Sequence, residues 1–155
     1  ALGVLLLGAL AATGEAGFAV AALQLAAGAA FLGAVLDGLL LGHWYLTDRR
    51  LTRAPILRST TTLGVGVALE AAAIAIGGFG PTSSSQAFNP LLTSAGLASW
   101  IALGMVGTTG LVVGFVRATL RGERPSAVQA ATGFFYLAVI TALTAEFAAK
   151  VRFLP

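Results

Sequence analysis

The feature that most constrains this chain is a series of long apolar stretches separated by short polar segments. A helix needs roughly 20 residues to cross about 30 Å of hydrocarbon. The stretches at about residues 17–45, 59–79, 95–116 and 127–149 reach that length, whereas the one at 1–13 is shorter. We therefore predict an all-α integral membrane protein, residues 1–155 forming a single bundle of about five transmembrane helices. The number falls to four if the first stretch does not span.

Composition supports a surface that faces lipid. Of the 155 residues, 57% are hydrophobic and 10% are charged, whereas a soluble domain carries about 25% charged residues. The chain has no Cys, which excludes disulfides and thiolate metal sites within it. The net charge of +3 resides mainly in loops, so we expect no nucleic-acid partner.

Arginine placement predicts the orientation of the bundle. The Ser-rich loop between the third and fourth spans lacks Arg, whereas the loops at 46–58 and 117–126 are rich in it. The positive-inside rule places both basic loops in the cytoplasm. We expect the protein to be integral to a bacterial inner membrane.

Glu70 is the first polar residue that needs an explanation, because the pattern puts it near the middle of the third span. An acidic side chain there costs several kcal/mol unless it is protonated, paired or facing water. Two interpretations stay open: a proton-relay or quinone-side carboxylate, and a protonated or hydrogen-bonded group that joins two helices.

Other intramembrane polar residues have simpler interpretations. Asp37 lies in the second span and is expected to pair with Arg58, which starts the neighbouring helix at the same end. A coupling-ion or proton site is the alternative. Gln24 is expected to form a helix–helix hydrogen bond, and Ser59 or Thr60 to cap the third span. Glu146 and Lys150 form an i, i+4 pair that we expect at a solvated helix end.

His43, Trp44 and Tyr45 stand where the second span meets the first basic loop. Trp and Tyr at that depth are typical of an aromatic belt. His43 is the single His, which excludes bis-His haem ligation within the chain. These three residues are our candidates for a quinone or lipid headgroup contact. No catalytic set and no metal site is predicted.

Two short segments resemble known patterns. Leu41–Thr47, leading into a basic loop with Pro55, resembles a motif in small, uncharacterised bacterial membrane proteins. Ala145–Lys150 is similar to a Gly-Glu-Leu-x-x-Arg pattern in quinol-interacting membrane anchors of molybdopterin oxidoreductases, with Ala145 in place of the Gly and Lys150 in place of the Arg. The second resemblance implies an electron-transfer membrane.

Three functional hypotheses follow from the sequence. The first is an accessory multi-pass subunit of a larger complex, respiratory or photosynthetic, that contacts other subunits, the bilayer, and quinone or bound lipid at most. The second is a small proton- or ion-coupled transporter that uses Glu70 and Asp37. The third is a membrane enzyme acting on lipid or quinone, although we expect the chain to have no catalytic activity of its own.

Overall fold

A computed structural model describes residues 13–48, 52–79, 96–122, 124 and 126–151, and side chains from residue 17 onward. This part of the chain is helical and contains four helices. In chain order they are α1 (Thr13–Thr47), α2 (Ala54–Gly77), α3 (Leu97–Leu120) and α4 (Ala127–Lys150).

All four helices are long and apolar enough to cross a membrane. In α1 the spanning part is Gly17–Thr47, because Gly17 interrupts the helix with a φ of +69°. The first apolar stretch of the sequence lies outside the described residues. Four spans are therefore seen in the described residues, and the predicted number of about five is not confirmed.

The start of α2 differs from the prediction. The helix begins at Ala54, with Pro55 in its first turn, rather than at Ser59 or Thr60. Proline suits this position because the first-turn amide has no partner within the helix. The predicted N-cap was therefore wrong. Ser59 and Thr60 lie within α2 and are buried in the bundle. The Thr60 hydroxyl donates to the carbonyl of Ile56 at 2.7 Å.

The four helices form a square, antiparallel bundle. Each one packs against its two neighbours in the cyclic order α1, α2, α3, α4. The helix ends that flank the two basic loops lie at one end of the bundle, which we call the basic end. The other, the distal end, holds Gly17, Gly77, Leu97 and Lys150.

Small residues set the distances between helices. The backbone of α1 at Phe31 approaches α2 at Gly66 so closely that a Cβ there would lie 3.1 Å from the Phe31 Cα. The Phe135 ring of α4 lies over Gly38 of α1, where a side chain of any size would overlap it. Lipid supplies no hydrophobic drive between helices, so close backbone packing of this kind holds them together.

Apolar side chains face both inward and outward. Phe31, Leu63 and Phe135 are fully buried in the middle of the bundle. Large apolar residues are also exposed on the outer surface of each helix, among them Leu40, Ile76, Leu111 and Ile140. An exterior of this kind is compatible with a multi-pass protein surrounded by lipid.

Two polar side chains bind the basic end together. The Tyr45 hydroxyl, at the end of α1, donates to the carbonyl of Thr52 just before α2. The Arg53 guanidinium donates to the carbonyls of Leu120, Gly122 and Arg124, with distances of 3.4 Å to Leu120 and 3.0 Å to Arg124. Arg53 therefore satisfies carbonyls that the end of α3 leaves open, and it links the two basic loops.

Candidate functional site

Glu70 is fully buried, and it meets Lys150 across the bundle. Its Oε1 lies 3.4 Å from the Lys150 Nζ, although the two residues belong to the diagonally opposed helices α2 and α4. The contact is possible because both helices end at the distal end, where the long lysine side chain can reach inward. Lysines at helix ends usually extend toward water, so this inward direction is unusual.

A second carboxylate shares the same ammonium group. Glu146, one turn before Lys150 on α4, places its Oε2 3.5 Å from the Lys150 Nζ. The carboxyl groups of Glu70 and Glu146 are therefore neighbours on either side of one ammonium group. Lys150 completes its contacts by donating to the backbone carbonyl of Gln24 on α1 at 2.8 Å. Three helices thus meet at one ammonium group.

Several buried polar atoms of this site lack a hydrogen-bond partner in the described part of the chain. They are Oε2 of Glu70, Oε1 of Glu146 and Oε1 of Gln24. Gln24 and Glu70 are at most 1% exposed. Buried polar atoms of native proteins are nearly always satisfied, so these three mark a place where a proton or water belongs. We call Gln24, Glu70, Glu146 and Lys150 the buried charge cluster.

Glycines on the neighbouring helices create the space for the cluster. A Cβ on Gly28 of α1 would lie 2.7 Å from the Glu146 Oε1, so a larger residue there would displace the carboxylate. A Cβ on Gly77 of α2 would lie 2.8 Å from the Gln24 Nε2. That amide donates to the carbonyl of Ala73 at 3.3 Å, which matches the helix–helix hydrogen bond predicted for Gln24.

The sequence prediction placed two members of the cluster differently. Glu70 lies seven residues before the end of α2, about 10 Å from the distal end, rather than at mid-span. Glu146 forms the predicted pair with Lys150, but its side chain is only 12% exposed and its Oε1 is buried, so this helix end is not fully solvated. The pair and Glu70 belong to helices that end on the same side, and this was the available signal that they could meet.

Asp37 has a different partner from the predicted one. The Ser59 hydroxyl of α2 donates to its Oδ2, whereas Arg58 is exposed and is not among its ion-pair partners. In the described part of the chain both ion pairs belong to Lys150. Ser59 lies on the face of α2 that packs against α1, whereas the adjacent Arg58 lies on the exposed face of the same helix.

His43, Trp44 and Tyr45 point in three directions, as consecutive helical residues must. Trp44 is 65% exposed and suits an interfacial anchor. His43 is exposed, with its Nδ1 3.5 Å from the Tyr136 hydroxyl. Tyr45 is buried, and its hydroxyl donates a hydrogen bond to the Thr52 carbonyl. Of the predicted headgroup candidates, His43 and Trp44 remain open to a ligand at the surface.

The described residues contain no group of three or more His, Cys, Asp or Glu that could hold a metal ion. Comparisons with protein-family models, curated proteins and solved structures find no match for the chain. The class is therefore defined by the molecule itself: an all-helical chain with four helices able to span a membrane, and with a charge cluster buried at the distal end of the bundle.

Proposed function

We propose that this chain is an accessory subunit of a larger membrane complex, and that it docks on a neighbouring transmembrane helix through the outer face of α1 and α2. The observation that supports this proposal is the exposure of Asp37 within the membrane-spanning part of α1. Asp37 lies seven residues before the interfacial Trp44, about 10 Å deeper into the membrane. A carboxylate facing lipid at that depth costs several kcal/mol.

The Ser59 hydroxyl supplies one of the hydrogen bonds that the Asp37 carboxylate can accept. An ionised carboxylate accepts about four hydrogen bonds in total. A helix that carries a basic, amide or hydroxyl side chain at the depth of Asp37 would supply the missing donors. Polar side chains join helices in this way within membranes.

The outer surface that continues from Asp37 toward the distal end suits the close approach of a helix. A crevice of about 250 Å³ lies between α1 and α2, and most of the residues that line it are small. The small residues are Ala26, Ala27, Ala30, Ala72 and Ala73. Gly33, between this crevice and Asp37, is exposed and has open space where a side chain would be. Small residues let a second backbone pack closely.

The transporter hypothesis has less support. A conducting path would have to connect the buried charge cluster with the basic end. Between them lie the fully buried Phe31, Leu63 and Phe135. The nearby hydroxyls of Thr109 and Thr141 lie 2.8 Å apart, so that one donates to the other, and each also lies within hydrogen-bond distance of a carbonyl of its own helix. This interior favours packing over conduction.

The enzyme hypothesis is weaker still, since the polar groups stand at different depths. The buried charge cluster lies at the distal end, Asp37 lies in the other half of the bundle, and His43 lies near the basic end. A catalytic site needs its groups within hydrogen-bond reach of one substrate.

The experiment is purification of the tagged chain in mild detergent from its native membrane, comparing wild type with Asp37→Ala. We expect wild type to bring stoichiometric membrane partners, and Asp37→Ala to lose them while remaining folded. Thr108→Val is the matched control, because Thr108 is exposed on α3 and donates only to its own helix at Gly104.

Three results would bear on the proposal. Partners retained by Asp37→Ala would contradict docking through this face. A small particle containing only this chain would contradict the accessory role. Haem or pigment absorbance in the purified particle would support the respiratory or photosynthetic complex predicted from the sequence.

A further inference from the structure

We propose that the buried charge cluster is a proton-binding site, in which Glu70 and Glu146 share one proton beside the Lys150 ammonium and exchange it with the distal side of the membrane. This inference does not rest on docking through Asp37. It rests on the charges of the cluster, on its unpartnered atoms and on the position of its most exposed member, Lys150.

The argument begins with the charges. Two carboxylates and one ammonium carry a net charge of −1, held where Glu70 is fully buried and the Glu146 side chain is 12% exposed. An uncompensated charge is expensive in a low-dielectric interior. One bound proton makes the group neutral without moving any helix.

The unpartnered oxygens show where this proton fits. Glu70 uses its Oε1 for Lys150, and Glu146 uses its Oε2, which leaves one oxygen of each carboxyl group free of partners in the described residues. Both carboxyl groups contact the same Lys150 ammonium, at 3.4 and 3.5 Å, so they are close neighbours. A proton on one of them supplies a donor for the other, and two carboxyl groups sharing one proton are a recognised arrangement.

A bound metal ion suits this geometry less well. The Lys150 ammonium already occupies the position between the two carboxylates that a cation would take, at 3.4 and 3.5 Å. It is fixed there by the Gln24 carbonyl. Two carboxylates of the described residues converge on the site, and a hard cation prefers six or more oxygen ligands.

Among the side chains that the structure describes, no other charged group of the neighbouring helices contacts the site. On α1 the facing residue is Gln24, which is neutral, and on α4 the facing groups are Glu146 and Lys150. The titratable residue of α3 is Arg117, at the basic end of that helix, where it donates to Thr61. Among the described residues, proton exchange therefore depends on Glu70, Glu146 and Lys150.

Lys150 also determines the side on which exchange occurs. Its side chain is 21% exposed, whereas those of Glu70 and Glu146 are 0% and 12% exposed. It is the last residue of α4, at the distal end. The apolar interior below Glu70 separates the site from the basic end. We infer that protons enter and leave past the Lys150 ammonium.

The test is infrared spectroscopy of the purified chain at neutral pH, in H₂O and in D₂O. A protonated carboxyl group gives a carbonyl band that shifts in D₂O. We expect this band in wild type and its loss in both Glu70→Gln and Glu146→Gln. Asp37→Asn is the matched control, because it removes another carboxyl group of the spans and should leave the band in place.

Thermal unfolding of the purified chain between pH 5 and pH 9 gives an independent readout. A proton bound by the folded state but released on unfolding makes stability fall as pH rises. We expect this slope in wild type, and a flatter one in Glu70→Gln, where a single carboxylate faces a single ammonium.

Three outcomes would overturn the proposal. One is the absence of the carbonyl band from wild type, and another is its loss only in Asp37→Asn. The third is stabilisation of wild type by sodium but not by N-methylglucamine, which would assign the site to a metal cation.

Discussion

At the scale of single residues, the surroundings decide what a charge does. Lys150 and Arg58 are both cations near a helix end, yet Lys150 turns inward to two carboxylates and Arg58 stays exposed. The Gln24 carbonyl and the space above Gly28 make the inward position available to Lys150 and Glu146. The charge type alone predicts neither outcome.

This contrast predicts the effect of removing the ammonium. Lys150→Met leaves Glu70 and Glu146 facing each other without a cation, so the variant should lose about 2–3 kcal/mol of stability, a value reduced from that of a fully buried pair because Lys150 is partly exposed. Thermal unfolding in detergent at pH 7 measures the loss. The combination Lys150→Met, Glu70→Gln and Glu146→Gln should recover most of it. A stable single variant would contradict the pairing.

At the scale of helices, the packing of α1 against α2 depends on one close approach. Gly66 faces the Phe31 backbone of α1, and a Cβ there would lie 3.1 Å from the Phe31 Cα. Backbone cannot rotate away as a side chain can, so the whole helix has to move. Gly64 lies two residues earlier on α2. A Cβ there would lie 3.7 Å from the Val113 side chain, which is an ordinary van der Waals contact.

These two glycines give a matched pair of substitutions. Gly66→Ala should destabilise the bundle by about 1–3 kcal/mol through overpacking. Gly64→Ala should be neutral or slightly stabilising, because alanine is the better helix former and has room. Thermal unfolding of both variants in the same detergent compares them. Equal stability of the two would mean that α1 and α2 are not as close at Phe31 as described.

At the scale of the whole molecule, the sequence predicts the spans better than their rotations. Length and apolar composition are enough to predict that stretches such as 95–116 and 127–149 form helices, and α3 and α4 lie there. The face that each helix turns inward is harder to predict, because both the core and the lipid are apolar. Leu63 and Ile76, for example, are equally hydrophobic, but the first is buried and the second is exposed.

The candidate site was predictable only in part for the same reason. The i, i+4 spacing of Glu146 and Lys150 predicts their pair directly. The meeting of that pair with Glu70 depends on the arrangement of helices around the square, and no local pattern carries that information. The partner of Asp37 depends on which face of α2 packs against α1, and Arg58, which the prediction named, lies on the exposed face.

The antiparallel bundle makes a prediction about the whole chain in its membrane. Arg53 joins the basic loops through the carbonyls of Gly122 and Arg124, so both loops lie on one side of the membrane.

Cysteine labelling tests this arrangement. The chain has no Cys, so single introduced cysteines report their position without further changes. A membrane-impermeant maleimide should label Arg121→Cys in inverted vesicles and not in intact cells, because the positive-inside rule places this end in the cytoplasm. Ser84→Cys, in the segment between α2 and α3, should show the reverse pattern. Labelling of both positions from the same side would contradict the antiparallel arrangement of α2 and α3, and an exchange of the two patterns would keep the bundle but invert its orientation.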